Sequence, residues 1–170
     1  MRMILAGVTM AMIAAAPVPT AAYRADLGPM PLDDETKAVI AGRGEAVATL
    51  NGARLELTGH FRGLPSRATA AHLVLGPAIG VPGVRVLALQ VSGDTQGTLA
   101  GSFRLSAAQA RALRTGRLYV QIDSEKAPPG YGWGPKGTLW GWLLPEHERA
   151  GQGVPQQGRW FLPQLDTPAR

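Results

Sequence analysis

The stretch 45-EAVATLNGARLELTGHF-61 decides the fold class. Asn51-Gly52 is a strong short-range hairpin signal, because the two-residue turns that suit twisted strands need φ > 0 at their central positions. A turn centred on that dipeptide pairs Leu50 with Ala53, Ala48 with Leu55 and Ala46 with Leu57. All six residues are apolar. Side chains alternate along a strand, so these six share one face while Glu45, Thr49, Arg54, Glu56 and Thr58 take the other. The same alternation puts His60 on the polar face, as a surface residue.

Further strands read at 70–75, 84–91 and 97–105, separated by Gly/Pro turns, the last with Leu99, Phe103 and Leu105 facing in and Thr98, Ser102 and Arg104 facing out. One helix interrupts them at 106-SAAQARALRTG-116. Ser106 suits the N-cap, Gln109 completes a capping box, Arg111 and Arg114 suit the C-terminal half, and Gly116 stops it. A strand at 117–123, a long loop 126-KAPPGYGWGPKG-137 and a final strand at 138–144 follow. Short strands spaced this way indicate an all-β sandwich or barrel with one short connector helix. No internal repeat is present.

At 170 residues the chain has room for one domain. Residues 1–22 carry a minimal basic start, an apolar run from Met3 to Val18 and the small residues 20-TAA-22, which predicts a signal peptide cut after Ala22. A membrane span needs about 20 apolar residues; this run is shorter and broken by Pro17 and Pro19, so no transmembrane span is expected. Residues 23–42 hold Pro29, Pro31 and 33-DDE-35 with no sustained period. They read as an N-terminal leader, with order beginning near Gly44. The domain is expected over 43–145, and 146–170 as a Pro/Gly-rich tail.

No cysteine occurs, so there is no disulfide framework and no thiol chemistry. An exported chain of this kind, periplasmic or extracellular, must rely on its core. Without Arg2 the 17 basic residues fall to 16 against 12 acidic ones, a net charge of +4. The arginines are scattered rather than set in a basic stripe with interleaved aromatics, so no nucleic-acid partner is expected.

The order of elements carries a resemblance. A hairpin leads to Ala71-His72 and Gly76-Pro77-Ala78, then to 105-LSAAQ-109, then to 116-GRLYV-120, and finally to Gly137 and Gly141 spaced four apart. This resembles the CHRD domain, a family first described in chordin and common in bacterial secreted proteins, over about residues 42 to 145. The resemblance implies an immunoglobulin-like antiparallel β-sandwich related in shape to copper/zinc superoxide dismutases, and no common activity. The chain departs from the family at polar positions. Val74 stands where the family has a second histidine, Gln121 and Asp123 replace its polar pair, and Thr138, Trp140 and Trp142 replace its Glu, Arg and Gln.

Chemistry is sparse. If the family's histidines ever formed a metal site, only His72 and Asp123 would remain of it here, and a zinc or copper site needs more ligands. No metal and no cofactor are expected. His60 faces elsewhere and His147 lies outside the matched region. No Gly-x-Ser-x-Gly accompanies Ser66, Ser92, Ser102, Ser106 or Ser124. The segment 132-GWGPKG-137 has the Gly-x-Gly-x-x-Gly spacing but precedes a strand instead of opening a helix, so it is no nucleotide loop. His72 and Asp123 are expected as a structural polar pair, and a His beside a carboxylate keeps its proton more readily, so His72 should titrate above an ordinary histidine.

The aromatic residues crowd the C-terminal part: Tyr131, Trp133, Trp140, Trp142 and Trp160. Trp140 and Trp142 share the face opposite Leu139 and Leu143, and with Tyr131 and Trp133 form a candidate interaction surface unless 150–170 folds back over it. The resulting expectation is a non-catalytic module that binds a protein partner, as an accessory subunit of an envelope or secreted assembly. A glycan-binding module and a metal-binding or redox enzyme of superoxide-dismutase-like shape are the alternatives.

Overall fold

The computed structural model describes residues 20–30, 39–127 and 137–146. Nine strands and one helix follow in chain order: β1 (Thr20–Pro29), β2 (Arg43–Asn51), β3 (Arg54–Arg62), β4 (Ala68–Leu75), β5 (Val84–Val91), β6 (Gly97–Arg104), α1 (Ala107–Arg114), β7 (Leu118–Ser124), β8 (Gly137–Trp142) and the two-residue β9 (Leu144–Pro145). All strand pairs are antiparallel, in the order β2-β3-β6-β5-β4-β7-β8-β1, and β1 pairs with β2 to close the ring. The architecture is therefore all-β with one short helix, as the sequence indicates. It is a closed eight-strand barrel where a two-sheet, immunoglobulin-like sandwich was expected. Closure removes the free edges that an open sheet must protect.

Two joins in the ring are narrow. β5 meets β6 only at Gln90↔Ala100 and Val91↔Leu99, and β1 meets β8 only at Gly28↔Trp140 and Pro29↔Leu139. Between them the ladders are long, so the barrel has two well-paired halves, β1-β2-β3-β6 and β5-β4-β7-β8.

β1 corrects the expectation of a leader over 23–42. Tyr23, Ala25 and Leu27 alternate with Arg24 and Asp26, and the first three are buried in the core. Their ladder with β2 runs from Thr20↔Asn51 to Leu27↔Gly44, so order begins well before Gly44. Arg24 also bonds Glu45 on the neighbouring strand. Residues 1–19 of the expected signal peptide, 31–38 of the expected leader and 147–170 of the expected tail lie outside the described residues.

The β2–β3 register differs from the expected one by two residues: Asn51 pairs with Arg54, Leu50 with Leu55 and Ala48 with Leu57. Gly52 and Ala53 form the turn, with Gly52 at φ +60° in the first central position, where the primed hairpin turns require positive φ. A slip of two leaves every side chain on its face. Ala46, Ala48, Leu50, Leu55 and Leu57 are accordingly buried.

They meet Ala71, Leu73, Leu118, Val120, Ile122, Leu139 and Leu143 from the other half, and these fill the barrel. α1 forms as its sequence dictates, with the Ser106–Gln109 capping box made in both directions. It seals one mouth of the barrel with Ala112 and Leu113.

Candidate functional site

The outward face of β4, β7 and β8 is not a wet surface. Across it run two rows, one of His72, Gln121 and Trp140 and one of Val74, Tyr119 and Trp142. Gln121, Tyr119, Val74 and Trp142 are buried, as is Asp123 beside the first row.

The polar part centres on Asp123. Arg85 Nη2 donates to its Oδ2 at 2.7 Å, and Gln121 Nε2 donates to its Oδ1 at 2.8 Å. His72 Nδ1 lies 3.8 Å from Oδ2, beyond hydrogen-bonding distance, and has no hydrogen-bond partner among the described residues. His72 and Asp123 are thus neighbours, while the bonded partners of Asp123 are Arg85 and Gln121. The expectation that His72 titrates above an ordinary histidine is reversed. Its pKa is lowered from 6.5 by burial first and by the Arg85 charge second, against an opposing pull from Asp123.

A β-bulge brings Arg85 to this face. The β4–β5 register shifts between Leu73↔Leu87 and Val74↔Arg85, leaving Val86 as the extra residue. Arg85 therefore shares the face of His72 and Val74. A second bulge in β8 sets Ile122 opposite Leu139 and Asp123 opposite Gly137, so that Thr138 tucks in and its Oγ1 shares a 2.6 Å hydrogen bond with Ser124 Oγ.

Of the expected interaction surface, Trp140 and Trp142 are described, and they stand with Tyr119. Trp142 stacks on Tyr119 with centroids 4.6 Å apart and meets Trp140 edge-on at 4.4 Å. With Val74 these rings form a second small core, and Trp140 is half-buried. The Trp142 indole Nε1 is buried without a hydrogen-bond partner among the described residues. Tyr119 was missed in the sequence; its hydroxyl accepts the N–H of Gly83 at 3.1 Å, and burial raises its pKa. Tyr131 and Trp133 lie outside the described residues.

The remaining polar candidates are not gathered here. His60 is exposed on β3, in the other half of the ring. Ser66 Oγ accepts the Lys126 N–H, Ser92 Oγ accepts the Thr98 N–H, and Ser106 caps α1. Among the described residues no three His, Asp or Glu side chains stand close enough to hold a metal ion, and no helix is long and apolar enough to cross a membrane.

The large exposed aliphatic side chains of the described residues are Val47, Ile79, Val81 and Val84, three of which belong to the uncharged segment 76-GPAIGVPGV-84, the loop that follows β4 together with the first residue of β5. The loop is held at its base. Gly76 N–H bonds Arg117 O at 2.9 Å, Val81 N–H bonds Ala78 O at 3.3 Å, and Gly83 is fixed by Tyr119 as above. The buried aromatic cluster thus serves as a foundation for an exposed aliphatic tip.

Among known protein families, the chain matches the family model of the CHRD domain over residues 29–131. No curated protein and no solved structure matches the chain. The matched span runs from the last residue of β1 past β7, so it contains His72, Arg85 and Asp123, whereas most of β1 and all of β8, which close the ring, fall outside it.

Proposed function

The chain belongs to the CHRD domain family, and on that footing we propose that it is an exported, non-catalytic interaction module, an accessory component of an envelope or secreted assembly. What supports this reading most is the loop 76–84. Ile79 is 56% exposed on the loop and Val84 65% exposed where β5 begins, and backbone hydrogen bonds hold the segment in place. Contiguous apolar side chains held out in water mark a contact surface on a soluble domain. The charged groups of the neighbouring cluster are already bonded to one another through Asp123, which suits a structural role for that cluster. The signal-peptide character of residues 1–22 supports export.

A cut after Ala22 would leave the β1 ladder intact from Tyr23↔Ala48 to Leu27↔Gly44, at the loss of the three outermost pairs. The test is to express the full sequence in a bacterial host and follow the chain beyond the cytoplasm. Intact mass should begin at Tyr23, and the chain should co-fractionate with the envelope. The double variant Ile79→Ser, Val81→Ser should melt like the wild type yet lose that co-fractionation. A variant that folds and still co-fractionates fully would overturn the reading.

A further inference from the structure

We propose that the surface met by loop 76–84 is the headgroup face of an anionic phospholipid bilayer. This rests on the reading of that loop as the contact surface. The loop stands beside a group of cations. A side chain at Gly116, just past α1, would touch Ile79, and the Arg117 carbonyl holds Gly76. Arg111 and Arg114 lie in the last turn of α1, both exposed, and the half-buried Arg117 follows just before β7.

Arg111 and Arg114 complement the helix dipole, which leaves their guanidinium groups in solvent. Arg117 Nε donates to Thr115 Oγ1 at 3.2 Å. No acid occurs between residues 57 and 93 or between 95 and 122. Of the nearby acids among the described residues, Glu56 bonds Arg54, Asp123 bonds Arg85, and Glu146 acts on Arg24. The three arginines beside the loop therefore keep their charge unpaired by carboxylates among the described residues.

A short aliphatic tip with arginines to one side fits an interface that is apolar at depth and negatively charged at its surface. Binding of this kind adds buried apolar area to attraction for anionic lipid. A protein interface would centre on aromatic anchors, and loop 76–84 has none. Nucleic acid would want stacking aromatics along a basic groove.

The chain has no cysteine, so one dye can be placed at a chosen site. An environment-sensitive fluorophore on Ile79→Cys reports the loop, and the same dye on Thr95→Cys reports the β5–β6 turn at the other end of the barrel. Each is mixed with vesicles of phosphatidylcholine alone and of phosphatidylcholine and phosphatidylglycerol in equal parts. The emission at position 79 should shift to the blue on the anionic vesicles only, the emission at 95 on neither, and added salt should weaken the response. Arg111→Gln with Arg114→Gln should reduce the affinity about 25-fold, or about fivefold per charge removed.

A silent dye at 79, equal shifts at 79 and 95, or equal binding to both vesicles would overturn the proposal. If Ile79→Ser, Val81→Ser abolishes envelope association while the vesicles are not bound, the bilayer is excluded and a protein partner at this loop is left. If the same variant leaves envelope association unchanged, the contact reading itself fails.

Discussion

Arg85 on β5 and Asp123 on β7 are joined across the strand between them, the guanidinium Nη2 donating to the carboxylate Oδ2 at 2.7 Å. The carboxylate is almost fully enclosed, at 5% exposed, while 36% of the Arg85 side chain remains in water. Removing the half-wet Arg85 would leave a buried carboxylate without its counter-charge, whereas Asp123→Asn removes that buried charge together with the pair. Arg85→Gln is therefore expected to lower stability by about 1–3 kcal/mol, the cost of a buried acceptor left short of a partner, and Asp123→Asn by less. Urea unfolding of both variants checks the order, and an Asp123→Asn loss larger than that of Arg85→Gln would contradict it.

His72 gives the fold a dependence on acid. Its folded-state pKa lies below the ordinary 6.5, so between those two values the unfolded chain binds a proton that the folded chain does not. The contribution of His72 is therefore present above about pH 6.5 and is lost as the pH falls through the folded-state value. Thermal melts across this range should show a decline on acidification that is shallower in His72→Gln. Nuclear magnetic resonance titration of Arg85→Gln should find the His72 pKa moved upward, because one of the two groups that depress it has gone. An unmoved value would remove Arg85 as a cause.

The rings of the second core should matter in proportion to their burial. Trp142 is 6% exposed and lies against both Tyr119 and Trp140. Trp142→Ala is expected to cost about 3–5 kcal/mol, as for a large aromatic removed from a core. Trp140→Ala, at a half-buried position, should cost clearly less. Tyr119→Phe keeps the ring but removes the acceptor for Gly83 N–H, so it should loosen loop 76–84 with little change in global stability. Amide exchange at Gly83 measures this directly, and unchanged protection there would show that the hydroxyl does not hold the loop.

Alternation along the chain makes the inward faces legible. The apolar sets of β2, β3, β4 and β6 pack in or against the core as their sequence pattern demands, and a hairpin register wrong by two residues does not disturb them, since faces repeat with that period. β1 was hidden because its short alternation, Tyr23-Arg24-Ala25-Asp26-Leu27, runs into Pro29 and Pro31 before a turn signal can frame it.

At the site, the shared face of His72 and Asp123 could be read, but the partner of Asp123 could not. Strict alternation along 84-VRVLALQV-91 sets Arg85 on the side of Leu87 and Leu89, and only the bulge at Val86 turns it outward. What covers an outward face is likewise not written in its period, so Trp142 could be placed with Trp140 but its burial could not be foreseen.

The narrow join between β1 and β8 has no room for a single added methyl group at Gly141. Gly141 sits on β8 opposite Val120, and a Cβ built on it would strike the Asp26 carbonyl oxygen and press on Leu27 Cδ2. That carbonyl belongs to a backbone fixed on its other side by the long β1–β2 ladder, so it has nowhere to retreat. A methyl at Gly137, by contrast, would meet chiefly the Met30 thioether, the far end of a flexible side chain. Gly141→Ala is therefore expected to cost about 1–3 kcal/mol, as overpacking against an unyielding wall does, and Gly137→Ala less. The damage should be local as well as global. The Met30 N–H, bonded to Thr138 O at 2.9 Å across the join, should exchange faster in Gly141→Ala, while amides of the β2–β3 ladder keep their protection. A Gly141→Ala chain with wild-type stability and an unchanged Met30 amide would mean that β1 and β8 are free to move apart at no cost.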